Sequence, residues 1–146
     1  MASCTRPCCR PSTRSFVARI EHVALWTRDV ERLRDFYVRH FGARAGEPYR
    51  NPARGFDSCF LEFEGGARLE IMRTRQLELA EARPGAQRHG LTHIAVGVGS
   101  EARVDSLTGE LRAAGFPVVD GPRRTGDGYY ESVVLDPDGN RIEITV

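Results

Sequence analysis

Apolar and polar positions alternate over residues 19–27. Val23 and Leu25 point one way, and Ile20, His22, Ala24 and Trp26 point the other. A side-chain period of two predicts a half-buried strand. At residue 30 the period lengthens: Val30, Leu33, Phe36, Tyr37 and Phe41 make one stripe of a helix over 30–41. Asp29 stands where an N-cap is needed and Gly42 where a helix stops. Residues 43–57 contain Gly46, Pro48, Pro52 and Gly55, which predict a weak strand plus loop. Alternation resumes at 58–64, Gly65-Gly66 is a hairpin signal, and 68–74 is the return strand. There Leu69 and Ile71 share one face, Glu70 and Met72 the other.

The same plan runs again from residue 91. A strand over 91–98 puts Leu91, His93, Ala95 and Gly97 on one face. Ser100 caps a helix over 101–114 carrying Val104, Leu107 and Leu111, and Gly115 ends it. A short strand at 116–120 and a polar loop at 123–128 follow. Two strands, 129–135 and 140–146, are joined by the strong turn Asp136-Pro137-Asp138-Gly139. The fold class is therefore α+β: two β-α-β-β-β modules, 17–74 and 91–146, joined by a linker at 75–90 in which Pro84 and Gly85 fall.

Length and composition narrow the reading. At 146 residues the chain suits one domain, or two small modules sharing a core. It is long enough to need no disulfides. No run approaches the roughly 20 apolar residues of a membrane span, so no membrane partner is expected. All 21 basic residues are arginine, a bias of composition more than a device of this chain. Net charge is +1, but Arg6, Arg10 and Arg14 lie in the first sixteen residues, leaving 18 arginines against 20 acids in the body. A body of that charge gives no reason to expect nucleic acid as a partner. Residues 1–16 carry almost no apolar pattern and three of the four cysteines. They read as a disordered tail, with a short targeting leader or a start at Val17 as alternatives. Cys4, Cys8 and Cys9 lack the paired spacing of a zinc site.

The polar residues that survive duplication carry the chemistry. His22 and His93 are 71 positions apart, and Glu70 and Glu143 are 73. A single histidine on such a strand is ordinarily a packed core residue, and a single glutamate between apolar neighbours is ordinarily sent to solvent by alternation. A matched set of four is different, because the four side chains converge if the strands that carry them lie side by side. Two neutral imidazoles and two carboxylates make a neutral site with one divalent cation, a donor set that suits nickel, cobalt, zinc, iron or manganese. Four protein ligands on an octahedral ion leave two positions for waters or substrate oxygens.

The repeated β-α-β-β-β pattern, these four residues and the ending Leu-Asp-Pro-Asp-Gly-Asn-Arg-Ile-Glu-Ile resemble the vicinal oxygen chelate superfamily over about residues 17–146. More narrowly, the chain is similar to the glyoxalase I and bleomycin-resistance group, in its lactoylglutathione-lyase-like branch. The resemblance implies an open, cupped mixed β-sheet around a metal held by His22, Glu70, His93 and Glu143, with helices outside. It implies a homodimer, in some members with ligands from both subunits in one site. It also implies a cytoplasmic lyase or isomerase whose small-molecule substrate presents adjacent oxygens, such as a 2-oxoaldehyde thiol adduct, and which acts through a metal-stabilised enediolate. Glu143 is the first choice of base and Glu70 the second. Glutathione or another thiol is the implied co-substrate.

Two departures bear on the thiol. Bacterial glyoxalase I has an arginine four residues after the first histidine, where this chain has Trp26, and an asparagine four after the first glutamate, where it has Thr74. Arg73, Arg75, Arg123 and Arg124 are either solvated or available to another anion. One ring of Tyr129-Tyr130 is expected to line the pocket. His40 at a helix end and Cys59 are expected to be structural, and His89 has no role. Other activities on the same fold, a ring-cleaving dioxygenase or thiol transferase, typically use two histidines and one glutamate, and Glu70 argues against them. A metal-free protein that sequesters a drug or metabolite generally lacks the ligands found here.

Overall fold

The structure is a computed structural model that describes residues 20–76 and 91–146. The tail at 1–16 and the linker from 77 to 90 lie outside the described residues. The first module contains β1 (His22–Trp26), α1 (Val30–Phe41), β2 (Arg44–Ala45), β3 (Tyr49–Asn51), β4 (Phe56–Glu62) and β5 (Arg68–Thr74). The second contains β6 (Ile94–Gly97), α2 (Glu101–Ala113), β7 (Val118–Arg124), β8 (Tyr130–Leu135) and β9 (Arg141–Thr145). Each module forms its own mixed sheet, in the order β1-β5-β4-β2 and β6-β9-β8-β7, with β3 also paired to β4. In both sheets the first strand runs parallel to the last and occupies an edge.

Local chemistry explains the helix ends. Asp29 is extended and its carboxylate accepts from the Arg32 N–H, satisfying one free amide of α1. Gly42 ends α1 at φ 65°, a left-handed conformation that glycine adopts without a Cβ clash. Ser100 caps α2 in the same way, through the Arg103 N–H. The weak strand expected within 43–57 is two pieces, β2 and β3, both paired antiparallel to β4 and separated by the Gly46 to Pro48 stretch. The short strand expected at 116–120 extends as β7 to Arg124, through register shifts on either side of Asp120. Pro122 has no N–H to donate, and the shifts let the strand carry it.

The helix-side faces of both sheets share one core. Leu33, Phe36 and Tyr37 of α1, Leu69 and Ile71 of β5, Val104, Leu107 and Leu111 of α2, and Ile142 and Ile144 of β9 are all buried in it. α1 also docks the first module onto the second. The Phe36 ring meets Phe116 at 4.7 Å, and the Tyr37 hydroxyl donates to Asp136 at 3.2 Å in the β8–β9 turn. Arg32 pairs with Asp138 in the same turn. His40, expected to be structural, packs its ring against Phe36 and Phe116, and burial lowers its pKa. Among the described residues no helix is long and apolar enough to cross a membrane.

Candidate metal centre

Strand parity puts the four candidate ligands on the faces opposite the helices. In the first sheet Ala24 is register partner to Glu70 and Phe60 sits opposite Glu70 on the other side, so His22, Ala24, Trp26, Glu70 and Phe60 share a face. Leu69 and Ile71, on the other parity, are buried under α1. In the second sheet Ala95 pairs with Glu143, and Val133 faces Glu143 from β8. His93 lies just before β6, one residue short of the strand expected to carry it, and it keeps the parity of Ala95.

Each sheet brings one histidine and one glutamate together. His22 Nε2 is 3.8 Å from Glu70 Oε2, and His93 Nε2 is 3.5 Å from Glu143 Oε2. Two ligands about 2.1 Å from one ion are roughly 3.0–3.4 Å apart. The pairs therefore stand near the spacing that a shared cation imposes and beyond that of a hydrogen bond. The other ring nitrogens are also engaged. His22 Nδ1 meets the Glu21 carboxylate, which can only accept, so Nδ1 carries a proton, and in the neutral ring Nε2 is the nitrogen free to ligate beside Glu70. Glu21 is held in turn by Arg68, and these two partners lower its pKa, the His22 hydrogen bond first. His93 Nδ1 lies 3.1 Å from the Thr92 hydroxyl, which can donate or accept. Sequence reasoning passed over Glu21 and Thr92. The available signal was a polar residue directly before each repeated histidine.

It also missed Glu131. This residue lies on β8 on the Glu143 face, is only 8% exposed, and has Arg123 Nη2 at 3.5 Å. Burial, followed by the negative charge of Glu143, pushes its pKa up, and Arg123 opposes the shift. Three of the four arginines weighed as anion holders are paired with carboxylates. Arg73 pairs with Asp57, Arg123 with Asp120 at 2.6 Å, and Arg124 with Glu101, while the Arg75 stem lies against Gly55. Tyr130 turns to the helix side, its hydroxyl donating to Asp105 at 2.7 Å, and Tyr129 is exposed. Cys59 is buried.

Within one chain the two pairs do not gather. Among the described residues no group of three or more His, Cys, Asp or Glu side chains stands in metal-holding geometry. The cleft of about 920 Å³ between the modules does not join them either. Its walls include helix-side residues such as Val23, Leu69, Ile94 and Val96, and of the four candidate ligands only His93 lines it.

The fold and the site together define a protein of two βαβββ modules with a His–Glu pair on each sheet. Residues 19–144 match the family described as the Glyoxalase/Bleomycin resistance protein/Dioxygenase superfamily, and the chain belongs to it. Among solved structures, glyoxalase I of Leishmania major aligns at 22% identity and TM-score 0.68, over 88% of this chain and 86% of that one. Lactoylglutathione lyase of Agrobacterium tumefaciens aligns at 24% and 0.62, over 88% and 93%. Glyoxalase I of Zea mays aligns at 20% and 0.70, over 87% of this chain and 44% of that one. At these identities the likeness is one of fold. No curated protein matches the chain.

Proposed function

We propose that the protein is a divalent-metal-dependent lyase or isomerase of the glyoxalase I kind, and that its site is assembled by two copies of the chain. The observation that carries this reading is the duplicated His–Glu pair, one on each sheet, at the edge strands β1 and β6, each of which pairs on one side only among the described residues. A two-fold dimer that lays β1 of one copy beside β6 of the other joins each His22–Glu70 pair to a His93–Glu143 pair of the second copy. Closed two-fold symmetry then makes two identical four-ligand sites and leaves no half-site over. The donor set fits a divalent ion of the nickel, cobalt, zinc, iron or manganese group.

When bound, the cation would supply Lewis-acid stabilisation of negative charge on two adjacent substrate oxygens. The chain's own residues do the rest. Glu21 and Thr92 orient the two imidazoles. Glu143, with Val133 and Glu131 beside it, takes the carbon-bound proton and returns it to the neighbouring carbon, and Glu70 is the second choice for that role. Metal analysis of the purified protein tests the reading. It predicts one divalent ion per chain, lost in His93→Ala with the far-ultraviolet spectrum retained. Normal metal content in that variant would exclude the site. Assay with methylglyoxal and a panel of thiols then tests the reaction and the thiol.

A further inference from the structure

The face that carries Glu70 continues into a row of aromatic side chains. Trp26 is register partner to Met72, Met72 to Ser58, and Ser58 to Tyr49, so these four form one row across the sheet. The row lies two residues along the strands from Ala24, Glu70 and Phe60, a step of about 7 Å. Phe56 stands beside it, its ring 6.3 Å from Trp26 and 6.1 Å from Tyr49, edge-on to the first and tilted to the second. These are the separations at which aromatic rings attract one another. Trp26 is 48% exposed and Tyr49 56%, although their neighbour Ser58 is buried.

The charges around this row are placed elsewhere. Arg73 has the parity of Ile71 and faces the helix side with Asp57. Arg68, on the ligand-bearing face, is held by Glu21 and lies over the Phe60 ring at 4.1 Å. The side chains between Glu70 and the rings are Ala24, Met72 and Ser58, all uncharged. These side chains set no cation beside a carboxylate, and the rings offer a flat apolar group three faces or edges to pack on.

On the reading that Glu70 helps hold the chelated oxygens, we propose that Trp26, Phe56 and Tyr49 form the subsite that selects the substrate. It takes an uncharged aromatic group joined to those oxygens by a short linker of one or two carbons. Trp26 is the single tryptophan of the chain, so its emission reports on that subsite directly.

The test uses the full chain loaded with zinc and three probes sharing one chelating group: acetohydroxamate, 3-phenylpropanohydroxamate and the monohydroxamate of succinic acid. Affinities are read by calorimetry, and the position of the wild-type Trp26 emission is followed in parallel. The phenyl probe is expected to bind roughly ten-fold tighter than acetohydroxamate, and to shift Trp26 emission, while the carboxylate probe gains nothing. In Trp26→Ala the phenyl-to-methyl affinity ratio is expected to fall to about two, and in Trp26→Phe to recover in part. Equal affinity for all three probes, or preference for the carboxylate, overturns this subsite and leaves the metal site standing. No binding of any probe to the zinc-loaded protein overturns both. A change of oligomeric mass in Trp26→Ala would place the ring under a second copy of the chain and also overturn the proposal.

Discussion

Replacing Tyr37 by phenylalanine removes one oxygen from the joint between the modules and little else. Tyr37 is fully buried, and its ring contacts with Phe36, Phe41 and Phe63 survive the change, so no cavity opens. What is lost is the hydroxyl that donates to the buried Asp136 carboxylate at 3.2 Å. A hydrogen bond to a charged group contributes about 1.5–3 kcal/mol. Asp136 keeps three other donors, the N–H groups of Asp138 and Asn140 and the Asn140 side-chain amide, which sets the loss at the lower end, about 1.5 kcal/mol. For a chain of this length that is a fall in Tm of roughly 3–6 °C. Urea unfolding should show a lower midpoint with an unchanged slope.

The pH dependence gives the prediction a second edge. Burial raises the Asp136 pKa above its ordinary value of 3.8, against its hydrogen bonds from Asn140 and Asp138. A carboxyl raised on folding binds its proton more tightly in the native state. Its contribution to stability is therefore greatest below the ordinary value and declines as pH rises through the raised one. The Tyr37 hydroxyl supports the ionised form, so the cost of losing it should be largest at neutral pH and shrink as the carboxyl protonates. An unchanged midpoint at pH 7, or a cost that grows on acidification, would refute the reasoning.

Phe36→Ala should cost about 3–5 kcal/mol, because the ring is buried between the core and Phe116, and thermal unfolding would show it. Glu131→Gln should raise Tm at neutral pH and flatten its decline with rising pH. The raised carboxyl of Glu131 binds its proton more tightly when folded, so ionising it above its ordinary value of 4.5 costs native stability, and the amide removes that cost.

Much of the scaffold was legible because its signals are local. Asp29 and Ser100 are one-residue caps, Gly42 is a one-residue stop, and the alternation around Leu69 and Ile71 needs no knowledge of the other module. The repeated histidines and glutamates were legible because duplication marked them, and each pair does meet within its sheet. What was not legible depended on distant partners. His40 was expected to be structural, but the ring it packs against, Phe116, lies 76 positions away. Glu131 reads as one polar residue in a strand until β9 brings Glu143 beside it. Tyr49 and Trp26 come together only when β3 and β1 take their places across β4 and β5.

Combining two single-histidine variants in one dimer addresses the shared site most directly. His22→Ala and His93→Ala each spoil one ligand pair, and every site of either homodimer keeps only three of its four ligands. A heterodimer of the two, co-expressed with different tags and purified through both, has one site lacking both histidines and one with all four ligands. If the sites are built across the dimer, the heterodimer should bind close to one divalent ion per dimer while each homodimer binds almost none. Metal content no higher in the heterodimer than in its parents would contradict the shared site.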